Sequence, residues 1–252
     1  GIRAEAQTLS FEYRQPIIQT PTQELALSLT LDLEKSETFI LNDIPYSFTE
    51  GPENGKSRVT AVRFTQEWIN RSTQRVLAAR AQLSFGLPWF DATVNESGID
   101  GQFFSWVGQF QWAQKLGEDT LLVARFDAQL TPNSLLPLEQ FTIGGVDTVI
   151  GYSRNARAGD NGINGSLEVH FTVLNAQDWG TLELVPFFNI GTVWNNRGEV
   201  FSPNTLASTG LGLRWQLRDF LFTRLDCGIP LSAVDDDFLQ ECSFSVRLQA
   251  KF

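Results

Sequence analysis

A two-residue hydrophobic alternation, sustained over runs of eleven residues or more and repeated along the chain, restricts what this protein can fold into. In "ELALSLTLDLE" the residues Leu25, Leu27, Leu29, Leu31 and Leu33 share one parity, and Ser28, Thr30, Asp32 and Glu34 share the other. In "TLLVARFDAQL" Leu122, Ala124, Phe126, Ala128 and Leu130 oppose Arg125, Asp127 and Gln129, and "CSFSVRLQAKF" repeats the pattern. Side chains of a strand point alternately to opposite faces, so each run has one apolar and one wet face. Eleven such strands are predicted, at 3–15, 23–34, 58–70, 75–87, 102–116, 120–131, 164–174, 181–194, 206–218, 220–230 and 241–252.

The connections fall into two alternating classes. Short ones are predicted at 16–22, 71–74, 117–119, 175–180 and the Arg218-Asp219-Phe220 corner, and long ones at 35–57, 88–101, 132–163, 195–205 and 231–240. Short turns at one end and long loops at the other is the layout of an outer-membrane barrel. A soluble β-sandwich also alternates, but its strands are mostly about five or six residues long. The wet parity also holds Arg80, Arg125, Asp127, Glu168, Arg214, Arg224 and Asp226, many of them mid-strand. Lipid outside and a hydrated lumen inside suit such a sheet. Aromatic residues near strand ends (Trp68, Trp89, Trp106, Trp112, Trp179, Trp194) match interfacial girdles. The fold expected is therefore an all-β, transmembrane, antiparallel up-and-down barrel with eleven to twelve strands in this chain, located in the bacterial outer membrane and contacting its lipid.

No run reaches the roughly 18 apolar residues of a membrane helix. A net charge of −10 argues against a nucleic-acid partner. A single histidine, His170, excludes a multi-histidine metal site and reads as an isolated hydrated side chain. Asp235, Asp236, Asp237 and Glu241 read as a solvated acidic loop rather than a calcium site. No nucleophile, base and orienting group come together in the sequence, so neither enzyme activity nor a cofactor or metal is expected. Cys227 and Cys242, on the last two strands, read either as a disulfide or as two unpaired small apolar residues.

The longest predicted loop carries the sharpest motifs. "FTIGGVDTVIGY" resembles the loop segment ending Val-Arg-Gly-Tyr or Val-Arg-Gly-Phe of the transporter subunits of bacterial two-partner secretion (TpsB). These are the hemolysin-activator type of the outer-membrane assembly superfamily. "AGDNGINGSLEV" resembles that family's Asp-Asn-Gly stretch, "VPFFNIGTVWN" its Phe-x-Asp-x-Gly strand motif, and "DFLFTRLDCGIPL" its penultimate strand. "RVTAVRFTQEW" and "DATVNESGIDGQFFSW" are similar to cyanobacterial members.

The resemblance implies a sixteen-strand barrel carrying periplasmic (POTRA) domains that recognise an exoprotein, which crosses unfolded. It implies a loop, here 132–163, folded back into the lumen, with the motif Arg meeting the strand-motif Asp. The residues so implied are the loop glycines Gly144 and Gly145, the tip Val149, Ile150, Gly151 and Tyr152, and the exit Asp160, Asn161 and Gly162. On the wall they are Phe187, Asn189 and Gly191. The Arg position is Ile150 and the Asp position is Asn189. Losing one partner of a buried pair costs about 3–5 kcal/mol, and losing both avoids stranding a charge. Ile150 can pack on apolar surface instead, while Arg154 and Arg157 read as solvated charges or as a substitute ionic anchor.

The chain is expected to be a barrel domain over residues 1–252, the C-terminal part of a larger transporter, without POTRA domains. The abrupt start at "GIRAEAQ" fits a piece of something larger, a redesign or a processed product. The terminal Phe252 resembles the signal read by the barrel-assembly machinery. The function expected is that of an exoprotein translocation pore, impaired by loss of the Arg and Asp. The alternative is a truncated or redesigned barrel acting as a passive pore or structural membrane protein.

Overall fold

A computed structural model describes residues 2–41, 43–96, 98–198, 202–217, 221–233 and 243–250. The described residues form sixteen strands. Those of the main sheet are β1 Ile2–Gln19, β2 Gln23–Ile40, β3 Ile44–Pro45, β4 Lys56–Arg71, β5 Arg75–Leu87, β7 Phe104–Lys115, β8 Thr120–Leu130, β12 Asn161–Ala176, β13 Gly180–Trp194, β14 Thr205–Leu217, β15 Leu221–Pro230 and β16 Ser243–Ala250. Four short strands lie in the long loops: β6 Ile99–Asp100, β9 Ser134–Leu135, β10 Phe141–Ile143 and β11 Arg157–Gly159. The main sheet runs β1-β2-β4-β5-β7-β8-β12-β13-β14-β15-β16, with β3 a short addition on β2. Every neighbour on that path is antiparallel, and the long strands follow one another in chain order. It is the up-and-down β-barrel topology expected, with eleven long strands.

The first two strands run well past their predicted ends, to Gln19 and Ile40. The apolar alternation stops at Leu33, but pairing continues up to Ile2 opposite Ile40 through polar residues that the periodicity does not flag. The first connection is accordingly only 20–22, where Thr20 accepts the Gln23 amide on Oγ1 at 2.9 Å and exchanges main-chain contact with it. Ser72 closes the 72–74 turn in the same way, accepting the Arg75 amide at 3.0 Å.

Register sorts the side chains as the alternation requires. Asp32, Arg63, Ser84, Gln109, Arg125, Glu168, Arg214, Arg224 and Asp226 share the inner face, where many of them pair. The outer face holds Leu29, Phe110, Phe126, Leu167, Phe188 and Ile190, all well exposed. Leu29 is central in the five outward leucines of β2, an apolar band that ends where Lys35 meets Arg58. No helix is long and apolar enough to cross a membrane among the described residues; the spanning is done by strands.

Two stretches of the inner face break the polar rule. Val59 and Ala61 of β4 pack with Phe103, Leu135 and Leu136 from the long loops. Val193 of β13 and Leu206 of β14 pack with Ile143, Val149 and Tyr152. Both patches bury loop residues against the inside of the sheet.

Substituting Leu29→Arg is expected to destabilise the protein by about 2–4 kcal/mol in reversible unfolding from lipid, because the site lies in the middle of the lipid-facing band. In a water-soluble sheet an exposed Leu→Arg change would stay within about 0.5 kcal/mol.

Candidate functional site

The 131–160 connection starts by turning back over the sheet. β9 pairs with β6 in parallel, and Leu135 and Leu136 bury against β4. Glu139 then meets Arg63, and a hairpin of β10 and β11 carries the chain across the inner face to β13 and β15. Gly144 and Gly145 sit in the hairpin with φ of 107° and 96°. A side chain at Gly144 would lie 2.5 Å from the Ser153 carbonyl in a backbone region that L-residues avoid, so the fold requires glycine there.

The tip lies on the wall. Val149 and Ile150 are buried, and the Ile150 amide donates to Asn189 Oδ1 at 3.4 Å. Ser208 Oγ approaches the same oxygen at 3.5 Å. Gly191, two residues along, is overlaid by Ile143 and Val149. Gly151 (φ 107°) faces Gly228 of β15 so closely that a methyl group on Gly228 would lie 2.8 Å from the Ile150 carbonyl and the Gly151 nitrogen. Tyr152 Oη donates to the Ala207 or Ser232 carbonyl, each 2.9 Å away, and accepts the Ser232 amide at 3.0 Å. Phe187 fills the inner-face space left by Gly210. The tip and wall motifs are thus in contact, through main-chain polarity and apolar packing.

The loop exit is an amide-and-carboxylate lattice. Asp160 accepts the Leu135 and Asn196 amides at 2.8 and 2.9 Å, and its own amide donates to Asn195 Oδ1 at 3.0 Å. Asn161 accepts the Thr131 amide at 2.8 Å and donates to Asn196. Gly162 already belongs to β12, where the Phe141 ring covers it.

Beside Ile150 lies a cavity of about 270 Å³ whose walls include Arg125, Asp147, Glu168, Asn189 and Arg224. A larger space of about 750 Å³, lined by Arg80, Gln109, Arg125 and Asp127 on the sheet and by Phe141 and Thr148 on the loop, separates the hairpin from β4 to β8.

Other candidates fall elsewhere. Arg154 is exposed, while Arg157 donates to the Pro203 and Ala156 carbonyls. The reading of His170 as isolated is wrong: its Nδ1 lies 2.9 Å from Glu183 and its Nε2 3.1 Å from Glu168. The cause is register, since β13 places Glu183 on the same inner face and Arg125 shares Glu168 from β8. Cys227 faces Phe244 across β15 and β16. Cys242, Asp235, Asp236, Asp237, Glu241 and Phe252 lie outside the described residues. Arg63 and Glu139 belong to no motif and meet only through the fold.

The sequence model of the haemolysin secretion/activation protein family ShlB/FhaC/HecB matches residues 2–215. The chain belongs to that family. The outer membrane transporter CdiB of Escherichia coli O6:K15:H31 (strain 536 / UPEC) is 26% identical over 133 residues, 51% of this chain and 22% of the relative. Among solved structures, CdiB from Escherichia coli superposes with a TM-score of 0.83 at 17% identity, over 98% of this chain and 45% of its own. BamA from Haemophilus ducreyi lacking POTRA domains 1–3 gives 0.69 at 12% identity, over 98% and 55%. The chain therefore spans less than half of the CdiB proteins it matches. As a ShlB/FhaC/HecB barrel it is a protein of the bacterial outer membrane.

Gly228→Ala is expected to push the tip off the wall, because the obstructing atoms are backbone. Overpacking of about 1–3 kcal/mol should speed trypsin cleavage after Arg154 by about tenfold while the folded barrel still resists heat in detergent electrophoresis. Cleavage at the parental rate would show that the tip does not depend on this contact.

Proposed function

We propose that this chain is the translocation barrel of a two-partner-secretion transporter and that an unfolded exoprotein is its cargo, with loop 132–163 lying in the lumen as a resident segment. The observation that carries the reading is the seat of the tip: Ile150 and Gly151 rest on Asn189 and Gly228 of the inner wall. The ionic inner face and the 750 Å³ space beside the loop are consistent with a hydrated path.

Export by this chain is impaired relative to a barrel with a charged tip pair. The single contact of 3.4 Å between the Ile150 amide and Asn189 replaces a charge-assisted bond, which is stronger and more directional. The same neutral pair favours the second reading, a passive pore or structural barrel without export.

One substitution pair separates the two. The cavity next to Ile150 gives a longer side chain room, and Asp in place of Asn189 would supply its counter-charge. In a chain carrying the N-terminal periplasmic domains, Ile150→Arg with Asn189→Asp is expected to raise exoprotein secretion by about tenfold, the factor that ~1.4 kcal/mol supplies. Either change alone adds a charge without its designed partner to a cavity already lined by Arg125, Arg224, Asp147 and Glu168, and should raise secretion less than the pair. Secretion staying at background in the double variant would overturn the transporter reading and leave the passive barrel.

A further inference from the structure

The hairpin is held at its root as well as at its tip, and the root contact is of a different chemical kind. Arg63 projects from the inner face of β4, the third strand of the sheet path, whereas the tip rests on β13 and β15. Its Nη2 and Nη1 meet Glu139 Oε1 and Oε2 at 2.7 and 3.1 Å, a two-pronged pair across 76 residues of chain. Its Nε donates to Asp32 at 2.7 Å, Nη1 also to Ser84 Oγ at 3.0 Å and Nη2 also to Glu34 at 3.3 Å. A guanidinium has five N–H donors, and these five contacts use them all. The pair is well shielded, with side-chain exposures of 12% for Arg63 and 9% for Glu139.

The charge balance is unusual. Three carboxylates surround one guanidinium, and only one of the three belongs to the loop. Removing a partner from a buried ion pair normally strands the other charge. Here Asp32 and Glu34 stay on Arg63 when Glu139 departs, so the wall keeps a paired cation. Glu139 leaves on a loop that faces the 750 Å³ space. Release therefore costs the two-pronged bond but not a desolvated orphan.

We propose that Arg63 and Glu139 form a releasable latch: they position the root of loop 132–163 against β4, and their separation lets the hairpin move away from the path between it and β4 to β8. This deepens the transporter reading, since it assigns to two residues the control of the loop that lies in the proposed path. The apolar tip contacts, Ile143 and Val149 on Val193 and Leu206, act as the pivot.

Backbone hydrogen exchange of residues 139–159 in the detergent-solubilised chain tests the latch. Glu139→Gln and Arg63→Lys should each speed exchange in this segment by about tenfold or more, as expected for loss of charge-assisted hydrogen bonds. Arg63→Lys keeps the charge and loses only the fork, so it serves as the second variant should Glu139→Gln fail to fold. The double variant should exchange no faster than the faster single one, because both break one interaction. Exchange within about twofold of the parent in both variants would overturn the latch. If instead the parental amides of 143–152 already exchange at the rate of a free peptide, the inward-lying loop itself is wrong, which is a separate failure.

Discussion

Backbone polar groups inside a bilayer have no water to bond, so the chain must pair them within itself. That constraint fixes the long antiparallel strands, and the strand period then sends every second side chain to lipid and every other one inward. The consequence reaches the loop. A segment of irregular backbone at membrane depth is tolerated only where protein or trapped water satisfies it. The 131–160 connection meets the condition with a β10–β11 hairpin, with Asp160, Asn161, Asn195 and Asn196 absorbing main-chain groups at its exit, and with Gln129 donating to the Glu139 and Asp160 carbonyls. The seat of the loop is thus a product of the same rule that built the sheet.

The loop is held by two kinds of force placed on different strands. At the tip, Ile143, Val149 and Ile150 bury apolar surface, and glycine at 151 and 228 lets two backbones approach. Apolar burial is non-directional and tolerates sliding. At the root, Arg63 and Glu139 form a directional, shielded ion pair. At the tip the Asn189 oxygen accepts the Ile150 amide, and Ser208 lies within reach of the same oxygen. The directional ionic contact on the loop is therefore at its root, and the tip is held by packing.

Much of this architecture was legible in the sequence, and the failures have physical causes. The eleven long strands, the alternation of short and long connections, and the inward parity of Asn189 follow from a period of two. Strand ends were missed where pairing outlasts the apolar band, as in Lys35 to Ile40. The inward apolar patches at Val59, Ala61, Val193 and Leu206 look like lapses of alternation until the loops that cover them are placed. The contact of tip and wall motifs was suggested by family resemblance and not by spacing. Arg63 with Glu139, and His170 with Glu183, were invisible because each depends on register between distant or adjacent strands, which a single sequence does not encode locally.

The proposed passage of cargo along the inner face is open to direct test. A photo-crosslinking residue at Gln109, exposed on that face beside the loop, can be compared with one at its neighbour Phe110, exposed on the opposite face. With an exoprotein stalled during export by a chain carrying the periplasmic domains, crosslinks to the exoprotein are expected from position 109 and not from position 110. Crosslinks from 110, or none from 109 while the exoprotein is still exported, would contradict it.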